Sequence, residues 1–181
     1  MIVDVLMFCL LVLLVIAVVG LFAMMGELSS KVSASVGTES DEVLWPAENA
    51  RIGRLTDWPA EIDGVVREGG VVVVLSPTCG ACHQILSETP NHLSDPLPLA
   101  VVVVAGDEEA GRSFVEEYPL LARLPVHVDV AGGWLRQAVG LDSSPAVLRV
   151  EDGHVLEVFN FNRSSAVVAL ASASSKESRK A

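Results

Sequence analysis

Apolar residues along this chain fall into three spacings, and each predicts a different element. From Val5 to Met25 they are continuous, 21 residues with no charge and a single glycine, Gly20. A helix rises 1.5 Å per residue, so this stretch is about 31 Å long, which matches a bilayer hydrocarbon core and predicts one transmembrane helix over 5–25. Shorter valine-rich runs at 71–75 and 97–105 predict buried core strands, and Val126-His127-Val128 alternates as a third. The fourfold spacing of Ala110, Phe114 and Tyr118 predicts a helix over 108–118, with Asp107, Glu108 and Glu109 suited to the positive end of its dipole. Further helices are predicted over 80–88, stopped by Thr89-Pro90-Asn91, and over 133–139, stopped by Gly140. Strands 146–150 and 155–159 flank Glu151-Asp152-Gly153-His154, whose Asp-Gly pair signals a hairpin. Asn162 suits the cap of a last helix over 164–171, followed by a polar tail. This order mixes parallel crossovers with an antiparallel edge, so the fold class is α/β.

Four segments follow: a transmembrane helix at 5–25, a serine-rich flexible linker at 26–43, a domain at 44–172 and a disordered tail at 173–181. The 18 linker residues span roughly 20 to 25 Å as a coil. A cleaved signal peptide is the alternative to the anchor, with Ser33-Ala34-Ser35 as its cleavage site. The absence of a basic leading region and the length of the apolar stretch favour the anchor. Cys9, inside that stretch, reads as a small hydrophobe. Trp45 and Trp58, each before a proline, read as packing anchors at the domain edge.

Charge narrows the partners. Twelve basic against 23 acidic side chains give a net charge of −11, without the clustered Lys and Arg that a phosphate backbone requires, so no nucleic-acid partner is expected. Aromatic residues are only 5% of the chain, which leaves valine, leucine and alanine to build the core. The flanks of the anchor carry only Lys31 nearby, and the positive-inside rule is nearly silent on orientation.

The candidate chemistry sits where the first valine strand ends. Ser76-Pro77-Thr78 breaks the strand, and Cys79-Gly80-Ala81-Cys82 opens the next helix. Disulfide exchange needs a thiolate, and the unpaired amides and positive dipole of a helix N-terminus favour one. The dipole contributes about 0.3 to 1 kcal/mol, so direct hydrogen bonds from the Ala81 and Cys82 amides are expected to supply the rest. Cys79 is then the exposed nucleophile and Cys82, one turn further in, the resolving thiol. Gly80 and Ala81 leave room for a partner protein. The same residues with His83 also satisfy C-x-x-C-H, the attachment pattern of a c-type haem electron carrier with His83 as proximal ligand. Against that reading, no methionine follows Met25 to serve as sixth ligand, which leaves His92, His127 or His154 for that place. A third alternative is a non-catalytic membrane-anchored scaffold that retains a structural cysteine pair. His127 reads as a satisfied polar residue of the sheet.

Ser144-Pro145 stands at the head of the hairpin. Together with the C-x-x-C it resembles the thioredoxin-like family, membrane-anchored here, over residues 44 to 172. Ser76-Pro77-Thr78-Cys79 behind a membrane helix is similar to the methylamine-utilisation MauD-type proteins of the TlpA-like superfamily. The resemblance implies a mixed sheet flanked by helices, a cis-proline loop facing the cysteines, and a membrane-tethered thiol-disulfide oxidoreductase that forms or arranges disulfides, as in an amine dehydrogenase small subunit. It implies no cofactor beyond the redox-active Cys79–Cys82 disulfide and no metal. Client thiols or disulfides are the implied partners, together with a membrane or soluble redox partner. Thr78, Gly80, Ala81, Ser144 and Pro145 are the residues expected to meet the client. Because disulfides persist outside the cytoplasm, the domain is expected on the extracytoplasmic face of a single-pass cell-membrane anchor. Two positions depart from the family. Thr78 stands where many members have an aromatic residue, and Val73 where they have a buried acid. His83 is a doubtful substitute for that acid, since neighbouring helical side chains diverge by about 100°.

Overall fold

The computed structural model describes residues 43–89 and 97–178, with side chains as far as Ser175. The expected anchor at 5–25, the linker apart from Val43 and residues 179–181 lie outside the described residues. Among those described, no helix is long and apolar enough to cross a membrane.

The chain order is β1 (Leu44–Pro46), β2 (Gly53–Arg54), α1 (Asp63–Glu68), β3 (Gly70–Leu75), α2 (Gly80–Glu88), β4 (Leu99–Ala105), α3 (Glu108–Glu117), a 3-10 turn (Leu121–Arg123), β5 (Val126–Val130), α4 (Gly133–Ala138), β6 (Ala146–Glu151), β7 (His154–Phe161) and α5 (Ser164–Ser178). One sheet runs β1-β7-β6-β3-β4-β5, and β2 also pairs with β7. Strands β3, β4 and β5 are parallel, with Val73 beside Val101 and Val101 beside Val126. Strands β6 and β7 run antiparallel to their neighbours, with Val73 opposite Val147 and Val147 opposite Phe159. This is the mixed sheet flanked by helices that the thioredoxin-like resemblance implied.

Why β3 sits at the centre follows from its composition. A strand covered on both faces needs no polar positions, and all six of its residues are buried. Its side chains alternate between two cores. Val71, Val73 and Leu75 pack with Cys82, Ile85, Phe114, Phe161 and Val167 on the face covered by α2, α3 and α5. Val72 and Val74 pack with Ile62, Val66, Leu135, Leu148 and Val158 on the face covered by α1 and α4. At the head of the strand, a side-chain carbon on Gly70 would lie 2.5 Å from the Pro98 carbonyl, so only glycine allows β3 and β4 this approach.

Several expectations are corrected. The last helix does not stop at 171. It continues to Ser178, so the tail expected from 173 is helical over its first six residues. Ala171 and Ser174 are buried three residues apart, and the Ser172 hydroxyl donates to the Val168 carbonyl, so this serine-rich turn packs as helix instead of solvating as tail. Strand β4 begins at Leu99, because Leu97 and Pro98 form a tight turn closed by the Leu99 amide on the Leu97 carbonyl. Strand β5 reaches Val130, two residues beyond its expected end. Elements β1, β2 and α1 occupy a stretch in which only packing anchors were expected. Trp58 is such an anchor: its indole donates to the Gly153 carbonyl and tilts against Trp134 at 5.4 Å. Trp45 lies on β1 and is exposed.

Candidate active site

Residues 76–79 connect the centre of the sheet to α2. The Cys79 amide donates to the Ser76 carbonyl at 3.1 Å, closing a four-residue turn around Pro77 and Thr78. Inside the turn the Ser76 and Thr78 hydroxyls lie 3.0 Å apart. Cys79 leaves the turn in extended conformation and becomes the N-cap of α2, its Sγ accepting from the Cys82 amide at 3.2 Å. The sulfur thus occupies the place a serine or aspartate oxygen takes at an ordinary cap. Of the two amides expected to reach it, only that of Cys82 does so.

The two sulfurs differ sharply in access. Cys79 is half-buried, whereas Cys82 is fully buried in the core beneath α2, and both thiols are free. Thr78, Gly80 and Ala81 are exposed around Cys79, and the position of a side chain on Gly80 is open space. The β6 side supplies the opposite wall. Ser144-Pro145 is a cis peptide, both residues are half-buried, and the Cys79 Sγ–H donates to the Ser144 carbonyl at 3.5 Å. Residues 65 positions apart in sequence therefore meet at one sulfur.

Burial pushes the Cys82 thiol from 9.0 up to about 12. The hydrogen bond and charge shared with Cys79 add to the shift, and the Ser76 backbone and Ser144 side chain oppose it. At pH 7 only about one Cys82 in 10⁵ is then ionised. In single turnover, resolution of a mixed disulfide on Cys79 is expected to accelerate about tenfold per pH unit from pH 7 to 9, because burial, the largest cause of the shift, persists there and keeps the Cys82 thiolate rare. Stopped-flow release of a labelled thiol measures it, and a plateau below pH 9 would contradict it. Stability follows the same shift. The folded-state value lies above the ordinary one, so the contribution is full below pH 9 and declines as pH rises toward 12.

Among the described residues no carboxylate acts on the Cys82 thiol, and Val73 is buried. Asp129 is a buried carboxylate, but its two oxygens accept from the Trp134 and Leu135 amides at 3.0 and 2.8 Å and so hold the first turn of α4. His127 lies at 3.3 Å from Glu61 and edges onto Trp134, as a satisfied sheet residue does. His83 is also taken. Its Nδ1 lies 2.6 Å from the Tyr118 hydroxyl and its Nε2 2.8 Å from the Pro77 carbonyl. With both ring nitrogens engaged and Cys82 sealed in the core, the C-x-x-C-H residues present neither an open axial ligand nor a second thioether position to a porphyrin. Among the described residues, no cluster of three or more His, Cys, Asp or Glu side chains is placed to hold a metal ion. The Tyr118 contact is absent from the sequence reading, where that residue appears only as part of an apolar helix face. Nothing in the spacing of residues 35 apart signals it.

No family model matches the chain, and no curated protein does either. Solved structures of the thioredoxin fold do resemble it. One is a secreted disulfide oxidoreductase of Mycobacterium tuberculosis homologous to E. coli DsbE, 21% identical over 61% of this chain and 85% of that one, with a TM-score of 0.44. Another is a DsbF homologue from Corynebacterium diphtheriae, 13% identical over 75% and 96% of the respective chains, with a TM-score of 0.47.

Proposed function

We propose that this chain is a thiol-disulfide oxidoreductase in which Cys79 exchanges with client proteins and Cys82 resolves the product. The observation that carries the reading is the pair of contacts at one accessible sulfur: the Cys82 amide at 3.2 Å and the Ser144 carbonyl at 3.5 Å, with the second thiol buried behind. In the reducing direction the Cys79 thiolate attacks a client disulfide, forming an inter-protein disulfide and expelling one client thiolate. Cys82 gives its proton to water and attacks Cys79, closing the Cys79–Cys82 disulfide and expelling the second. The client gains two electrons and two protons, and the protein dithiol loses the same two electrons. The reverse sequence oxidises a client dithiol. A second thiol-disulfide partner, membrane-bound or soluble, resets the site.

Thr78, Gly80, Ala81, Ser144 and Pro145 form the client-facing rim, and an extended client segment pairs with the Ser144 backbone. The uncharged span at 5–25 supports a membrane tether, and disulfide chemistry supports an extracytoplasmic location. The MauD-like Ser76-Pro77-Thr78-Cys79 supports an amine dehydrogenase small subunit as client.

Equilibrating the full-length protein in graded glutathione buffers tests the central reading. Cys79 and Cys82 should oxidise together as a two-electron couple, near −120 mV for an oxidant or near −270 mV for a reductant. A potential below about −300 mV, with no exchange, marks a structural disulfide and removes the proposal.

A further inference from the structure

The imidazole of His83 is held on three sides. Pro77 offers a carbonyl, which only accepts, so Nε2 carries the ring proton and donates across 2.8 Å. Nδ1 is then the acceptor, and the Tyr118 hydroxyl donates to it at 2.6 Å. Phe114 meets the ring edge-on at 5.2 Å and 85°. Burial, and after it the neighbouring Glu117, raises Tyr118 above its ordinary value, so its hydroxyl keeps the proton this bond needs. The Pro77 carbonyl fixes this tautomer, the Tyr118 hydroxyl fits it as donor, and none of the three interactions reaches a sulfur directly.

What the clamp holds is the turn in front of Cys79. The turn's own hydrogen bond uses the Ser76 carbonyl and the Cys79 amide, leaving the Pro77 carbonyl for His83. We infer that His83, oriented by Tyr118, is a positioning residue that pins the Ser76–Cys79 turn to α2 and so sets the distance from the Cys79 sulfur to the Cys82 amide. The inference deepens the oxidoreductase reading and rests on it.

The geometry leaves little tolerance. At 3.2 Å from the Cys82 amide and 3.5 Å from the Ser144 carbonyl, the sulfur would leave hydrogen-bond range of either partner if the turn shifted by about 1 Å. The amide bond is strongest to the ionised sulfur, a species that only the reduced protein contains. Loosening the turn therefore weakens the reduced form and favours the disulfide.

Two conservative substitutions separate the clamp from mere packing. The Nε2 of glutamine lies as many bonds from the backbone as the Nε2 of histidine, so His83→Gln retains a donor for Pro77. His83→Asn places its amide at the Nδ1 position and cannot reach that carbonyl. In the full-length chain, His83→Asn should shift the glutathione equilibrium about tenfold toward the disulfide, about 30 mV for a two-electron couple. Alkylation of Cys79 by iodoacetamide, read by peptide mapping to separate it from Cys9 and Cys82, should slow by a similar factor. His83→Gln should stay within about twofold of the parent in both measurements, and Tyr118→Phe should fall between the two. Parent protein that exchanges with glutathione while the Asn and Gln variants shift together, or neither shifts, overturns the clamp alone. Parent protein that does not exchange overturns the oxidoreductase reading and the clamp with it.

Discussion

Cys82→Ala is expected to leave client proteins covalently attached through Cys79, whereas Cys79→Ala leaves none, and both variants lose turnover down to the uncatalysed background. The asymmetry follows from burial. A client disulfide can approach the half-buried Cys79 between the exposed Gly80 and Ala81 and the Ser144 carbonyl, but it cannot reach Cys82, which has no exposed surface. Without Cys82 the mixed disulfide loses the thiol one helical turn from Cys79, and among the described residues there is no further cysteine to replace it. Without Cys79 the remaining thiol is inaccessible, and burial, the largest cause of its raised value, still disfavours its thiolate. Non-reducing gels of affinity-purified variants read the outcome, with bands that collapse on adding reductant. Equal trapping by the two variants would refute the assigned roles.

The largest effect on stability is expected from Phe161→Ala, a loss of about 3 to 5 kcal/mol. Small domains have only about 5 to 15 kcal/mol in total, so the variant should be partly unfolded at growth temperature. Phe161 is only 2% exposed at the end of β7, opposite Leu44 of β1, and it packs into the core with Val73, Leu75 and Val167. It already borders an apolar cavity of about 60 Å³ between α2, the 3-10 turn and α5. Removing the ring enlarges that cavity, and the β-branched residues around it have few rotamers with which to fill the gap. Urea denaturation measures the loss as a lower midpoint at constant slope. A loss below about 1 kcal/mol would show that α5 collapses onto the sheet.

The parts of this protein legible in its residues are those whose cause is local. Val71–Leu75 can only be a covered strand, since five consecutive apolar, mostly β-branched residues have no face to turn toward water. Asp152-Gly153 predicts a hairpin because both residues tolerate positive φ, and they adopt +50° and +78°. The Cys79–Cys82 spacing places two sulfurs one helical turn apart wherever a helix begins there. By contrast, β1 and β2 are three and two residues long and exist through pairing with β7, which no window of their own sequence contains. Ser172, Ser174 and Ser175 are polar in sequence yet helical, because Ala171 and Ser174 meet the core.

By itself, then, the sequence determined the alternation of strands and helices, the redox spacing and the proline that precedes the hairpin, since periodicity, turn chemistry and helix starts act over a few residues. Only the tertiary structure decided that Cys82 is sealed completely in the core, that the Ser144 carbonyl stands 3.5 Å from the Cys79 sulfur, and that Tyr118 meets His83 across 35 residues. These contacts arise because α2 and α3 pack on the same face of one sheet, and that shared face is built from strands far apart in the sequence.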